Sequence, residues 1–241
     1  RELKVWLRLK HQTIVPLLGF AYVNSSSKFP ALVSQWMPSG TLSVYLKETT
    51  IITAFAKVKG VAAGLDYFHG SNMVHGNITS SNVLVDIKEG EYIARLTGFS
   101  LATIFSGRLG DRTFGSNVRT GAIRWIAPEL LKVHDQPANG APTTQTDIYS
   151  FGRVMFHVLT LVIPWNDMND IVVLQRILRG EDISRPATPD MTTARWNEIA
   201  QCWSSDVSAR PPLCPLAPSP VLASLTLRHA RLRHSHSLSM A

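Results

Sequence analysis

The chain has 241 residues, 45% hydrophobic and 17% charged, which is the composition of an ordinary globular protein with a sizeable core in one or two domains. Its two cysteines, Cys202 and Cys214, build neither a disulfide framework nor a zinc motif, so a reducing, cytoplasmic setting is expected. Of the net charge of +7, three come from Arg228, Arg231 and Arg233, and the other four are spread over residues 1–210 without a basic stripe, which argues against nucleic acid as a partner.

No apolar run reaches the ~18–20 residues that span a bilayer, so no membrane partner is expected. Phe151–Trp165, the richest stretch, is interrupted by Arg153 and His157 and reads as a core helix. The first residue is Arg1, and the expectation is a piece of a longer protein.

Residues 1–10 read as the later part of an amphipathic helix, with Leu3, Trp6, Leu7 and Leu9 available for packing. Leu17–Val23 and Ala31–Met37, separated by the turn-rich Asn24–Pro30, read as an antiparallel strand pair. Thr41–Glu48 is a short helix capped by Ser39 or Thr41. From Ile52 to His69, Phe55, Val58, Val61, Ala62, Leu65 and Phe68 recur at helical spacing. Val83–Val85 and Tyr92–Leu96 are strand-like around a turn at Lys88–Gly90, and residues 103–122 read as a long irregular loop. Helices follow at Thr146–Leu161, Ile171–Arg179 and Thr193–Trp203. Residues 211–241 hold five prolines, five serines and no acid, and read as a disordered tail.

Five segments in this order carry a resemblance. They are VHGNITSSNVLV at 74–85, LTGFSLA at 96–102, Ala127-Pro128-Glu129, DIYSFG at 147–152 and CWSSDVSARP at 202–211. Together they resemble the protein-kinase superfamily, nearest its tyrosine-kinase-like branch and similar to large fungal kinase-like families. The resemblance implies an α+β, two-lobed fold over residues 1–210. Residues 1–37 would be a partial small lobe of one helix and two strands, and 38–210 a mainly helical large lobe.

It also implies roles. Asn77 stands where the family has the carboxylate that accepts the substrate hydroxyl's proton, and Gly98 where it has a metal-binding aspartate. An amide accepts no proton near neutral pH, and glycine offers magnesium no oxygen ligand. Asn82 matches the second metal position and is the remaining metal candidate, although a bracing amide is the favoured reading. Asp86 is discounted as an exposed aspartate beside the strand turn. Gly76 replaces the loop arginine and Thr79 the usual lysine, so Ser106, Thr113, Ser116 and Thr120 lack the fork that orders a phosphate.

Structural roles carried over by the resemblance are a helix glutamate at Glu2 and a stack of Trp6, Leu17, His75 and Phe99. Asp147 would bind the catalytic-loop backbone, and Glu129 would pair with Arg210. Ser34 takes the gatekeeper position, followed by the connecting Gln35, Trp36 and Met37. Trp36, Met37 and Leu84 are the vestigial nucleotide contacts, with plain core the favoured reading for Leu84. The family ligands, ATP and Mg²⁺, are expected to bind weakly or not at all.

The expected function is therefore a catalytically dead interaction or regulatory module, with a protein partner that could be an active kinase. The alternatives are a divergent Ser/Thr or Tyr kinase completed by upstream sequence, and a nonfunctional gene remnant.

Overall fold

The computed structural model describes residues 2–22, 30–48, 51–88, 91–104, 122–131, 141–189 and 191–213, with the side chains of 51–58, 101, 103 and 104 left aside. Several sequence expectations lie outside these residues: most of the Asn24–Pro30 turn, Glu89 and Gly90, the Phe55 and Val58 side chains, Ser106, Thr113, Ser116, Thr120, and the tail from Cys214 with Arg228, Arg231 and Arg233.

The expected α+β architecture is observed. Helix α1 (Glu2–Trp6) is shorter than the amphipathic pattern predicts. Beyond Trp6 the backbone tightens, with Arg8 and Leu9 bonding the carbonyls of Val5 and Trp6. This rotation buries Val5, Trp6 and Leu9 but turns Leu7 out to solvent, against expectation. Strands β1 (Leu17–Ala21) and β2 (Ala31–Ser34) pair antiparallel, with a register irregularity between Leu17 and Gly19. Their ribbon leaves Leu18, Phe20, Tyr22 and Val33 exposed.

Thr41 is the cap of the short α2 (Leu42–Tyr45), its hydroxyl accepting from the Val44 N–H. Helix α3 (Ile51–Gly70) lies against the strand pair β4 (Val83–Lys88) and β5 (Glu91–Leu96). Gly60 and Gly64 permit that approach, since a Cβ on them would meet Ala94 at 3.0 Å and Leu96 at 2.8 Å. Segment 13–15 joins the same sheet: Leu96 N–H donates to Thr13 O, and Val15 N–H donates to Leu96 O.

Two strands went unpredicted. Met73–Val74 (β3) pairs antiparallel with Thr103–Ile104 (β6), so the expected loop begins with a strand. Two residues are too few to display a period of two.

Helix α4 (Thr144–Thr160) packs against α3 and α6, with buried residues all around it. Its start is fixed by reciprocal bonds between Thr143 and Thr146. Helices α5 (Asp170–Leu178) and α6 (Thr193–Cys202) are capped by Asn169 and Thr192 and bury Val173, Ile177, Ile199 and Cys202. Burial pushes the Cys202 thiol up to about 12, so it behaves as a small apolar side chain. No helix among the described residues is long and apolar enough to cross a membrane.

Candidate functional site

The loop between β3 and β4 carries Gly76, Asn77, Thr79 and Asn82, and α4 holds it at both ends. Asp147, buried in the first turn of α4, accepts from the backbone N–H groups of His75 and Gly76 at 2.8 Å each. Its Oδ2 also lies 3.0 Å from His69 Nε2. At the far end, the Ser80 hydroxyl meets His157 Nδ1 at 2.9 Å with both groups buried. Burial lowers the His157 pKa to about 4, so this imidazole is neutral.

His75 is wholly buried, and both of its ring nitrogens are engaged with the backbone. Its Nδ1 accepts from the Asn77 N–H at 3.2 Å, which leaves Nε2–H to donate to the Thr97 carbonyl at 3.0 Å. Burial holds its pKa below the ordinary histidine value. The ring is 5.5 Å from Phe99, and Phe99 meets Trp6 edge-on at 5.3 Å. Leu17 is partly buried against the same core. Phe68 of α3, read from sequence only as an apolar helix position, completes the cluster at 5.5 Å from Phe99 and 5.3 Å from His75.

Asn82 has the bracing geometry. Its Nδ2 donates to the Asn77 carbonyl at 2.8 Å, while its N–H bonds Thr79 and its C=O accepts from the Thr97 N–H at 2.9 Å. Thr79 is buried, and its hydroxyl caps the turn at 3.1 Å. Gly76 and Gly98 both occupy the left-handed region, at φ 72° and 80°.

Asp86 is not the exposed turn residue expected. It is 5% exposed and paired with Arg95, whose Nη2 lies 2.8 Å from Oδ2. Arg95 also donates to the Gln12 carbonyl. The hairpin is longer than the sequence indicated, which places Asp86 within β4 rather than at its turn. The carboxylate is thereby committed to a buried ion pair.

The other expected positions separate. Met37 is buried and Leu84 is partly buried, both in the core cluster, whereas Trp36 is 83% exposed. Glu2 is half-buried and has no ion-pair partner among the described residues. Ser34 closes β2 opposite Leu17.

Glu129 and Arg210 form the expected tie, a two-pronged pair with Nη1–Oε1 at 2.5 Å and Nη2–Oε2 at 3.0 Å. Arg210 also donates to the carbonyls of Ser204 and Gln145. Nearby, Arg124 donates to the carbonyls of Pro164, Trp165 and Met168 and pairs with Asp170. The Ser150 hydroxyl donates to the Trp125 carbonyl at 2.7 Å, so α4 also fixes the turn preceding Ala127-Pro128-Glu129.

The model of the family described as protein tyrosine and serine/threonine kinase matches residues 1–219. The chain belongs to this kinase family. Similar proteins include the probable serine/threonine-protein kinase roco6 of Dictyostelium discoideum, 29% identical over 88% of this chain and 10% of its own length. Ephrin type-B receptor 1 of Gallus gallus is 26% identical over 88% of the chain and 21% of its length. Serine/threonine-protein kinase CTR1 of Arabidopsis thaliana is 28% identical over 88% of the chain and 25% of its length. The chain thus spans a tenth to a quarter of these relatives.

Kinases of this family work with ATP and magnesium, and the donor set here does not fit the metal. Asn77, Asn82 and Gly98 supply amides and backbone but no carboxylate, and Asp86 is held by Arg95. No group of three or more His, Cys, Asp or Glu suited to a metal ion occurs among the described residues.

Proposed function

We propose that this chain is a kinase-fold interaction module without phosphotransferase activity. The observation that carries the reading is the absence of a carboxylate at both Asn77 and Gly98, on a loop that is otherwise held in place. Phosphoryl transfer needs a positioned hydroxyl, metal neutralisation of phosphate charge, and a carboxylate near the attacking oxygen. Asn77 orients a hydroxyl but takes no proton, and general-base assistance alone is worth ~10²–10⁴-fold. Gly98 contributes nothing to a cation, so nucleotide binding is vestigial.

The retained Asp147, His75 and Glu129–Arg210 contacts support a persistent folded surface, and a surface without chemistry acts by contact. The partner is a protein, with an active kinase among the candidates, met in the cytoplasm. Kinship with the tyrosine-kinase-like branch belongs to the same reading.

The test is incorporation of labelled phosphate by the purified full chain, measured with ATP and either Mg²⁺ or Mn²⁺. Incorporation no higher than in a heat-killed sample is expected. Activity above that control and above a contaminating-kinase control would establish the divergent-kinase reading instead.

A further inference from the structure

An open groove of about 630 Å³ lies between the end of α5 and α6. Its apolar walls include the buried Tyr149, Ile177 and Trp203, and its rim carries the carboxylates of Glu181, Asp182 and Glu198. No lysine, arginine or histidine lines it among the described residues. Glu181 meets Arg176 and Arg179 at 3.5 and 3.8 Å, loose pairs between exposed side chains that exchange partners at little cost. Asp182 is 40% exposed and uses one oxygen, Oδ1, for both Arg153 and the Ile183 N–H, while Oδ2 has no bond among the described residues.

The chain leaves the described fold beside this groove. Arg210 bonds the carbonyl of Ser204, which lines it, and the described residues end soon after, at Leu213. Residues 225–233, with the sequence LTLRHARLR, set three leucines among three arginines, and no Asp or Glu follows Asp206. The span from Leu213 to Arg228 reaches about 50 Å when extended and averages about 20 Å as a flexible chain, so the segment returns to the groove without strain.

We propose that this groove is a binding site for a segment bearing arginine and leucine, and that residues 225–233 of the same chain occupy it. The leucines cover the apolar walls, and the guanidinium groups bond the rim carboxylates, for which their planar fork is suited. The tether supplies an effective concentration on the order of 1 mM, at which a contact with a Kd of ~0.1 mM is roughly nine-tenths occupied. Docking of this kind is independent of the chemistry at Asn77 and Gly98.

The test is photo-cross-linking of the full chain carrying benzoylphenylalanine in place of Ala230, at micromolar protein, read by peptide mass spectrometry. Cross-links are expected within one chain and concentrated on residues 177–182 and 197–205. Arg228→Glu, Arg231→Glu and Arg233→Glu together should lower their yield roughly fivefold or more, and adding Glu181→Arg with Glu198→Arg should restore about half of it. If the groove variant does not fold, a comparable fall in yield for the unreversed chain at about 0.5 M sodium chloride is the expected result in place of rescue. Cross-links spread over other faces, cross-links joining two chains, or a yield indifferent to the charges of residues 228, 231 and 233 would overturn docking at this groove.

Discussion

Removing Glu129 tests the tie between the Ala127-Pro128-Glu129 turn and Arg210. The Arg210 side chain is 0% exposed and that of Glu129 26%, so the pair is buried on one side only. Truncating one member of a fully buried pair costs about 3–5 kcal/mol, and an exposed pair is worth only about 0–1 kcal/mol. Glu129→Ala strands the buried member, though Arg210 keeps the carbonyls of Ser204 and Gln145 and lies 5.1 Å from the Tyr149 ring centre. A loss of about 2–4 kcal/mol follows, between those limits but nearer the buried one. At ~2–4 °C per kcal/mol for a domain of this size, calorimetry should record a fall of at least ~4 °C. Asn82→Ala, which removes one amide bond to Asn77, should fall less. Arg210→Ala combined with Glu129→Ala should cost less than the two separate losses summed, because neither charge is then stranded. A Glu129→Ala protein that melts like the parent, or full additivity in the cycle, would refute the reasoning.

Arg153 is 1% exposed, paired with an Asp182 that is 40% exposed, and its Nε and Nη1 have no hydrogen-bond partner among the described residues. Asp182→Ala should therefore destabilise by about 2–3 kcal/mol, whereas Arg153→Met, apolar and of similar length, should melt within ~1 kcal/mol of the parent or above it. Equal losses in those two variants would be the contrary result. His157 has a folded pKa of about 4 against 6.5 for the free side chain, so between these values the unfolded chain binds the extra proton. Stability should be whole above pH 6.5 and decline towards pH 4, by at most about 3 kcal/mol from this group, and His157→Gln should show a shallower pH slope in urea titrations. Phe20 and Trp36 are 60% and 83% exposed, and replacing both with serine should raise the monomer fraction in size-exclusion chromatography with light scattering. An unchanged elution profile would show that these two side chains do not drive association.

What was legible in the sequence depended on whether a residue's partner could be named from the chain. Asp147, Glu129 and Arg210 were placed by motifs, and the structure brings each to its expected contact. Helices α3 to α6 were visible because apolar spacing persists over several turns. Asp86 was misread because its burial follows from strand length and pairing, which puts it opposite Ile93 and within reach of Arg95. Arg153 and His157 registered only as interruptions of an apolar run, since Asp182 and Ser80 come beside them through folding alone. Nothing local marks such partners in advance.

Under the proposed function this loop keeps its place without a base or a metal ligand, and its hydrogen bonds account for that. Asp147 grips the backbone N–H groups of His75 and Gly76, so the side chain at 76 is irrelevant to that anchor. Asn77 serves the fold through its own N–H and C=O, bonded to His75 and Asn82, and its amide side chain takes no part in those bonds. Gly98 contributes a left-handed turn that precedes the short helical turn carrying Phe99. The side chains that do hold structure here are those of His75, Asn82, Phe99, Asp147 and His157. Positions 76, 77 and 98 are therefore those at which a kinase fold can surrender its arginine, base and metal ligand with little structural penalty. Under the proposed function, the replacements fall at these three positions while the side chains of His75, Asn82, Phe99, Asp147 and His157 keep the loop folded.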